Sequence, residues 1–379
     1  MQVTTRIIPF AIALAFAGSA GAQQVVKLGH VAPISGPSAH LGKDMENAAR
    51  MAVDELNAKG VAINGQKVTI QLVSEDDGAD PKQGTAVAQK LVDAHVNGII
   101  GHLNSGTSIP ASKIYHDAGI VQISPATTAP QYTAQRFPGA FRVVASDVKL
   151  GATMGKYAVD TLKAKNIAII DDRTTYGQGV ADQFAKGVKG GAGVRVVGRE
   201  FTSATATDYT AILTSIKAKK PDLIFFGGMD SVAGPMLKQL KALGIPATFM
   251  GGDGMCTDAL GRLAGAGLGE GKVFCAEAGG VKGPQEKVME DFRARYKKKF
   301  NMDVQLYAPY VYDAVMVMAT AMQNAKSADP AKYLPELKKI KYEGVTGTIQ
   351  FDPSGDILNG ALTLYTYKDG KRTRMDVIR

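Results

Sequence analysis

Residues 98–107, GIIGHLNSGT, run from an apolar triplet straight into glycine, asparagine, serine and threonine. A second stretch, residues 120–130, IVQISPATTAP, repeats the device. Two more follow: Phe226 leads into Gly227-Gly228-Met229-Asp230, and Met250 into Gly251-Gly252-Asp253-Gly254. A short, wholly apolar run stopped by glycine and small hydroxyl residues is the pattern of a strand buried on both faces that opens into a loop. In an open parallel sheet the loops at the carboxyl ends of the strands are where ligands bind. These four segments therefore set both the fold and the search for function.

The rhythm extends outward from them. Val25–Val31 and Lys67–Val73 are strand-like, and the stretch from Leu41 to Ala58 places Met45, Ala48, Ala49, Ala52, Val53 and Leu56 at helical spacing before Gly60. Asp80-Pro81 opens another helix, because Asp accepts free N–H groups and Pro fits the first turn. The alternation restarts with strands at Ile167–Ile170, Val194–Val197, Leu223–Phe226 and Thr248–Met250, separated by helices at Val180–Lys189, Tyr209–Lys219 and Val232–Leu243. Strands alternating with helices build parallel sheets with right-handed crossovers. Two successive series predict an α/β protein of two doubly wound lobes, with a cleft between them as the site. The tail is less regular: helices between Pro284 and Ile340, then strand-like Thr346–Phe351 and Ala361–Tyr367.

The N-terminus reads as an export signal. Arg6 supplies positive charge, Ile7–Ala17 an apolar run, and Ala20-Gly21-Ala22 a cleavage site that leaves Gln23 first. The run is too short to cross a bilayer, which takes about 20 residues. No cysteine follows it, so no lipid anchor is expected there, and the expected location is the periplasm.

Composition excludes more than it suggests. Two cysteines in 379 residues cannot by themselves make a disulfide scaffold, a four-cysteine zinc site or an iron–sulfur cluster. The net charge of +9 invites a polyanion partner. Its densest run, Arg293, Arg295, Lys297, Lys298 and Lys299, shares a helix with Phe292, Tyr296 and Phe300, and reads as a solvated face. No nucleic-acid partner is expected. Catalytic signatures such as G-x-S-x-G, H-E-x-x-H and the P-loop are missing. The five histidines, His30, His40, His95, His102 and His116, have no close metal-ligand spacing, and no cofactor or metal is expected. Hydroxyls and helix N–H groups at the strand ends suit a carboxylate, and Asp253 among its glycines suits a cation; together they fit a zwitterion.

The same segments carry a family likeness. In order, Gly36-Pro37, Asp76-Asp77 with Asp80-Pro81, GHLNSG, SPATTAP, TTYGQG, GGMD and GGDG resemble the periplasmic branched-chain amino acid-binding proteins, the solute receptors of ABC importers. The resemblance implies the type I periplasmic fold, with two lobes joined by three crossovers and closing by hinge motion. It implies residues 23–145 plus 277–350 in the N-terminal lobe and 146–276 plus 351–379 in the C-terminal lobe. A small apolar L-amino acid of the leucine, isoleucine and valine class is the implied ligand, an ABC permease the implied partner, and a monomer that is not itself membrane-embedded the implied state.

Position by position, Ser105 with Gly106 resembles the group that holds the ligand carboxylate. Ala126 matches a carbonyl that takes the ammonium. Thr127 and Thr128 lie in the same loop, and Thr128 matches a residue that contacts both ends of the ligand. Asp253 stands where the family often has Glu as partner of the ammonium. Tyr176 matches an aromatic that shuts over the ligand, Met229 replaces an aromatic of some members, and Leu41, Tyr307 and, less directly, His40 are further pocket candidates. Members with a first-lobe disulfide have Cys where this chain has Ala79 and Asn104; in an oxidising compartment a bridge between Cys256 and Cys275 is expected instead. Two alternatives stay open: the same fold holding an amide, urea, an aromatic acid or another amino acid, and a secreted hydrolase using Ser105 with a histidine.

Overall fold

A computed structural model describes residues 24–269 and 271–378. The export signal expected at 1–22 lies outside the described residues. The chain first lays down β1 (Gln24–Ala32), α1 (Ala39–Lys59), β2 (Ala62–Ile63), β3 (Gln66–Asp76), α2 (Pro81–Asp93), β4 (Gly98–Gly101), α3 (Ser105–Asp117), β5 (Gln122–Ser124), α4 (Gln131–Ala134) and β6 (Ala140–Arg142). These strands form one sheet in the order β2-β3-β1-β4-β5-β6, parallel except at the short β2 edge.

A second series follows: α5 (Asp147–Asp160), β7 (Asn166–Asp171), α6 (Thr175–Val188), β8 (Arg195–Phe201), α7 (Thr210–Ala218), β9 (Leu223–Gly227), α8 (Asp230–Ala242), β10 (Thr248–Gly251), α9 (Ala259–Ala264) and β11 (Val273–Glu277). The chain then returns to the first sheet with α10 (Pro284–Phe300), α11 (Ala308–Asn324) and α12 (Pro330–Lys338), of which α11 packs on α1 and β4. After a hairpin of β12 (Tyr342–Gly344) and β13 (Gly347–Ile349), β14 (Leu362–Lys368) and β15 (Lys371–Ile378) finish the second sheet. Its order is β15-β14-β11-β10-β9-β7-β8.

Register explains why the four loops converge. Ile100 pairs with Ile123, so β4 and β5 release GHLNSG and SPATTAP at one edge. Gly251 pairs with Phe226, so β9 and β10 release GGMD and GGDG together. Local chemistry fixes the helices. Asp80 caps α2 by accepting from the Lys82 and Gln83 N–H groups, with Pro81 in the first turn. Gly60, at φ 75°, ends α1 and donates to Leu56 and Asn57 carbonyls. The basic run on α10 is partly matched by acids elsewhere in the first lobe: Arg295 pairs with Glu55 and Lys299 with Asp54, both on α1.

Some details depart from the sequence pattern. The second sheet is mixed, because β14 and β15 pair antiparallel beyond β11. The strand expected over Thr346–Phe351 is instead the β12–β13 hairpin, with only an isolated bridge at Phe351. α5 and β6 carry no clear pattern. In α5, Gly151 and Gly155 lower helix propensity but let α6 approach: a Cβ on them would sit 2.4 Å from the Gln183 carbonyl carbon and 2.5 Å from that of Gly187. The Sγ atoms of Cys256 and Cys275 lie 2.07 Å apart, with Cα atoms at 5.3 Å, within disulfide range. This link ties β11 to the turn that carries Asp253.

Candidate functional site

Six of the expected residues, Ser105, Ala126, Tyr176, Met229, Asp253 and Tyr307, line one narrow, nearly filled cavity with Leu103 and Asn104, about 10 Å³ in volume. Both lobes contribute. Ser105 opens α3 directly after β4, so its side chain stands beside the N–H groups that the first turn of a helix cannot satisfy internally. Its Oγ accepts weakly from the Ala129 N–H at 3.4 Å.

Asp253 sits on a 3₁₀ turn, Asp253–Met255, just past β10, and is 1% exposed. The hydroxyls of Tyr176 and Tyr307 donate to its two oxygens, each at 2.9 Å. Tyr176 comes from the start of α6, where Thr174 caps the helix by accepting from the Gly177 N–H. Its hydroxyl in turn accepts from the Gly254 N–H at 2.8 Å. A Cβ on Gly254 would fall 2.7 Å from the Tyr176 ring and 2.8 Å from Met229 Sδ, so only glycine admits this approach. Tyr307 comes from the other lobe, at the head of α11. Burial pushes the Asp253 carboxyl up to about 6, against the pull of its tyrosine hydrogen bonds. Such a carboxylate gains from a cation brought to it.

A second acid stands near. Asp147, at the start of α5, is fully buried, and neither oxygen has a hydrogen-bond partner. Burial, and then the charge of Asp253, push it well above the usual carboxylate range. Its N–H donates to the Thr128 carbonyl, and the Thr128 Oγ1 is itself buried and unpartnered.

The first-lobe loops rest on buried polar groups that sequence reasoning missed. Arg142, on β6, is fully buried and donates to the carbonyls of Thr127 and Ala129, to Thr133 Oγ1 and to Asp356. An arginine inside the apolar run AFRVV was the available signal. Beneath GHLNSG, His102 bonds Asp77 at 2.7 Å through Nδ1 and the Tyr115 hydroxyl at 3.0 Å through Nε2. Ser124 Oγ donates to the His102 carbonyl and accepts from the Thr127 N–H, joining the two loops.

Five expected residues lie outside the cavity lining. Leu41 is fully buried on the packed side of α1, in the same apolar cluster as Ala126, Tyr176, Met229 and Tyr307. Thr127 turns its hydroxyl inward to Ser108. Gly106 faces Thr175 on α6, with a Cβ to Oγ1 distance of 3.5 Å. Thr128 accepts from the Asp147 N–H through its carbonyl. His40 bridges the lobes instead of lining the cavity: its Nε2 lies 2.8 Å from Asp230 Oδ2, which also accepts from Thr257. Burial draws the His40 pKa down, but the Asp230 hydrogen bond and charge outweigh this and raise it. Among the described residues, no group of three or more His, Cys, Asp or Glu could hold a metal ion, and no helix is long and apolar enough to cross a membrane.

Comparison with known proteins places this geometry. Residues 25–372 match the family described as periplasmic binding protein. The chain is 35% identical to an amino acid binding protein of Pseudomonas aeruginosa, over 96% of each chain. It is 34% identical to Leu/Ile/Val-binding protein homolog 1 of Brucella suis, over 98% of each. Among solved structures, the branched-chain amino acid transporter substrate-binding protein LivJ of Streptococcus pneumoniae, in complex with isoleucine, superposes with a TM-score of 0.84 at 27% identity, covering 94% of this chain and 99% of that one.

Proposed function

This chain belongs to the periplasmic binding protein family, and from that premise we propose that it captures a small aliphatic L-amino acid, of the leucine, isoleucine and valine class, and presents it to the permease of an ABC importer. The observation that carries this reading is the buried Asp253 carboxylate, held by tyrosines from both lobes, in a cavity it shares with Ser105 at the head of α3. Asp253, the Ala126 carbonyl and Thr128 take the ammonium; Ser105 and the N–H groups beside it, including that of Gly106, take the carboxylate; Leu103 and Met229 face the aliphatic chain. Residues 23–145 with 277–350 act as one closing lobe, and 146–276 with 351–379 as the other. The chain is exported by a cleaved leader, works in the periplasm without a lipid anchor or cofactor, and functions as a monomer that binds rather than transforms its ligand.

The test is ligand carried through purification, identified by mass spectrometry, with calorimetry on a panel of amino acids, amides and aromatic acids. Binding of an aliphatic L-amino acid in preference to the rest is expected; preference for an amide or aromatic acid would overturn the ligand class.

The pH dependence has a defined sign. Ammonium recognition needs the ionised Asp253, whose carboxyl titrates at about 6. The ionised fraction falls about tenfold between pH 7 and pH 5, so affinity for a zwitterionic amino acid falls by about the same factor. Titration calorimetry at the two pH values checks this, and in Asp253→Asn the dependence should flatten.

Reduction of the Cys256–Cys275 bridge is expected to lower stability by about 3 kcal/mol, since it frees a loop of 19 residues in the unfolded chain. Urea unfolding with and without reductant measures it; two thiols alkylated freely without reductant would contradict the bridge.

A further inference from the structure

The parallel strands β7 to β11 release the cleft loops at one edge of the second sheet and begin at the other. Lysines scattered along the sequence meet at that far edge. Lys163 and Lys165 precede β7, Lys189 follows α6, Lys220 precedes β9, Lys241 closes the last turn of α8 and Lys272 precedes β11. All six are exposed. Main-chain hydrogen bonds hold these connections side by side: the Arg195 N–H donates to the Lys165 carbonyl, Thr248 to Asp222 and Phe249 to Lys272. Two acids near them are already engaged. Asp160 pairs with Lys156, and Asp222 Oδ2 accepts from the Lys165 and Asn166 N–H groups. The ammonium groups of Lys165 and Lys241 rest on the main-chain carbonyls of Ala192 and Ala266 rather than on carboxylates. The fold thus gathers into one patch a positive charge that the sequence disperses.

An apolar cavity of about 370 Å³ opens at the same edge, where Leu240, Ile245, Phe249 and Leu268 line it beside Lys241 and Lys272. Its volume lies in the range of small-molecule sites, about 300–1,000 Å³. A nucleic acid would meet the charge and leave the cavity unfilled, whereas a phospholipid matches both. We propose that this edge of the second sheet docks on an anionic phospholipid bilayer, with the lysines on headgroup phosphates and one acyl chain in the cavity. The attachment is peripheral: it acts within a Debye length, about 10 Å at 0.1 M salt, and inserts no helix. It lies at the opposite edge from the cleft loops, so it is independent of which solute the cleft takes.

Co-sedimentation with vesicles of phosphatidylcholine alone, or mixed equally with phosphatidylglycerol, tests this. Binding is expected to the mixed vesicles only, and to weaken with added salt. The triple variant Lys165→Glu, Lys220→Glu, Lys241→Glu should weaken it roughly 10²-fold, since each lysine near such a surface contributes about fivefold. Removing the same charge from α10 and α12, in Lys287→Glu, Lys298→Glu, Lys332→Glu, should cost less than about tenfold. Thermal unfolding confirms that both variants fold. Equal binding of the wild-type chain to the two kinds of vesicle, or equal loss in the two variants, would overturn the proposal. Calorimetry with dihexanoyl phosphatidylglycerol and with glycerol phosphate reads the cavity, and only the lipid should bind. Equal binding of the two, or binding of single-stranded DNA as tight as that of the mixed vesicles, would overturn the lipid assignment.

Discussion

Asp253→Ala is expected to weaken binding of a small L-amino acid by roughly 10²–10³-fold. Three effects act in one direction. The ammonium loses its charged acceptor in a site that excludes water, where a charge-assisted hydrogen bond contributes about 1.5–3 kcal/mol. The Tyr176 and Tyr307 hydroxyls, both buried, lose the oxygen to which they donate. The lobes also lose one of the contacts between them, because Tyr307 and Asp253 come from opposite sides of the cleft. Titration calorimetry measures the loss, with thermal unfolding of the ligand-free variant as the control for folding. Unchanged affinity would remove Asp253 from the ammonium site. Asp253→Asn should fall between the two, since it keeps an acceptor for one tyrosine without the charge.

Arg142→Met should cost about 3–5 kcal/mol of stability, the penalty for breaking a buried charged network from one side. Methionine replaces the aliphatic stem but leaves the Thr127 and Ala129 carbonyls and Thr133 Oγ1 without their donor. Asp356, partly exposed, recovers water and loses less. Those carbonyls belong to the loop that presents Ala126 and Thr128, so ligand affinity should fall together with the urea midpoint. A variant within 1 kcal/mol of wild type would show that the loop holds its shape without Arg142.

The fold was readable because parallel strands buried on both faces are short and wholly apolar, and the residues that interrupt them mark the ligand edge. Ser105 and Asp253 stood out because each follows such a strand within a few positions, whereas Ala126 and Met229 were marked within those loops by the family resemblance. Side-chain direction was harder to read. Leu41 and His40 adjoin on α1, yet one is sunk in the core and the other reaches across to Asp230. Thr127 and Thr128 adjoin in one loop, and the former is turned inward to Ser108. The supporting residues escaped for a different reason. Arg142 and Asp356 are 214 positions apart, and His102 lies 25 from Asp77, so no local spacing announces either pair. α5 was hidden because its glycines serve contact with α6 at the expense of helical propensity.

Across the cleft, Tyr307 bonds Asp253 and His40 bonds Asp230 using protein groups alone. Each forms whenever the lobes meet, whatever they enclose. On the proposed function, they would raise the share of molecules already shut before a solute arrives, and apparent affinity would change with that share. The same share limits the contrast between loaded and empty receptors for any partner that recognises the shut form. On the proposed function, loosening His40 would sharpen that signal while blunting capture, and the pair would set how far such a receptor trades scavenging against fidelity of report.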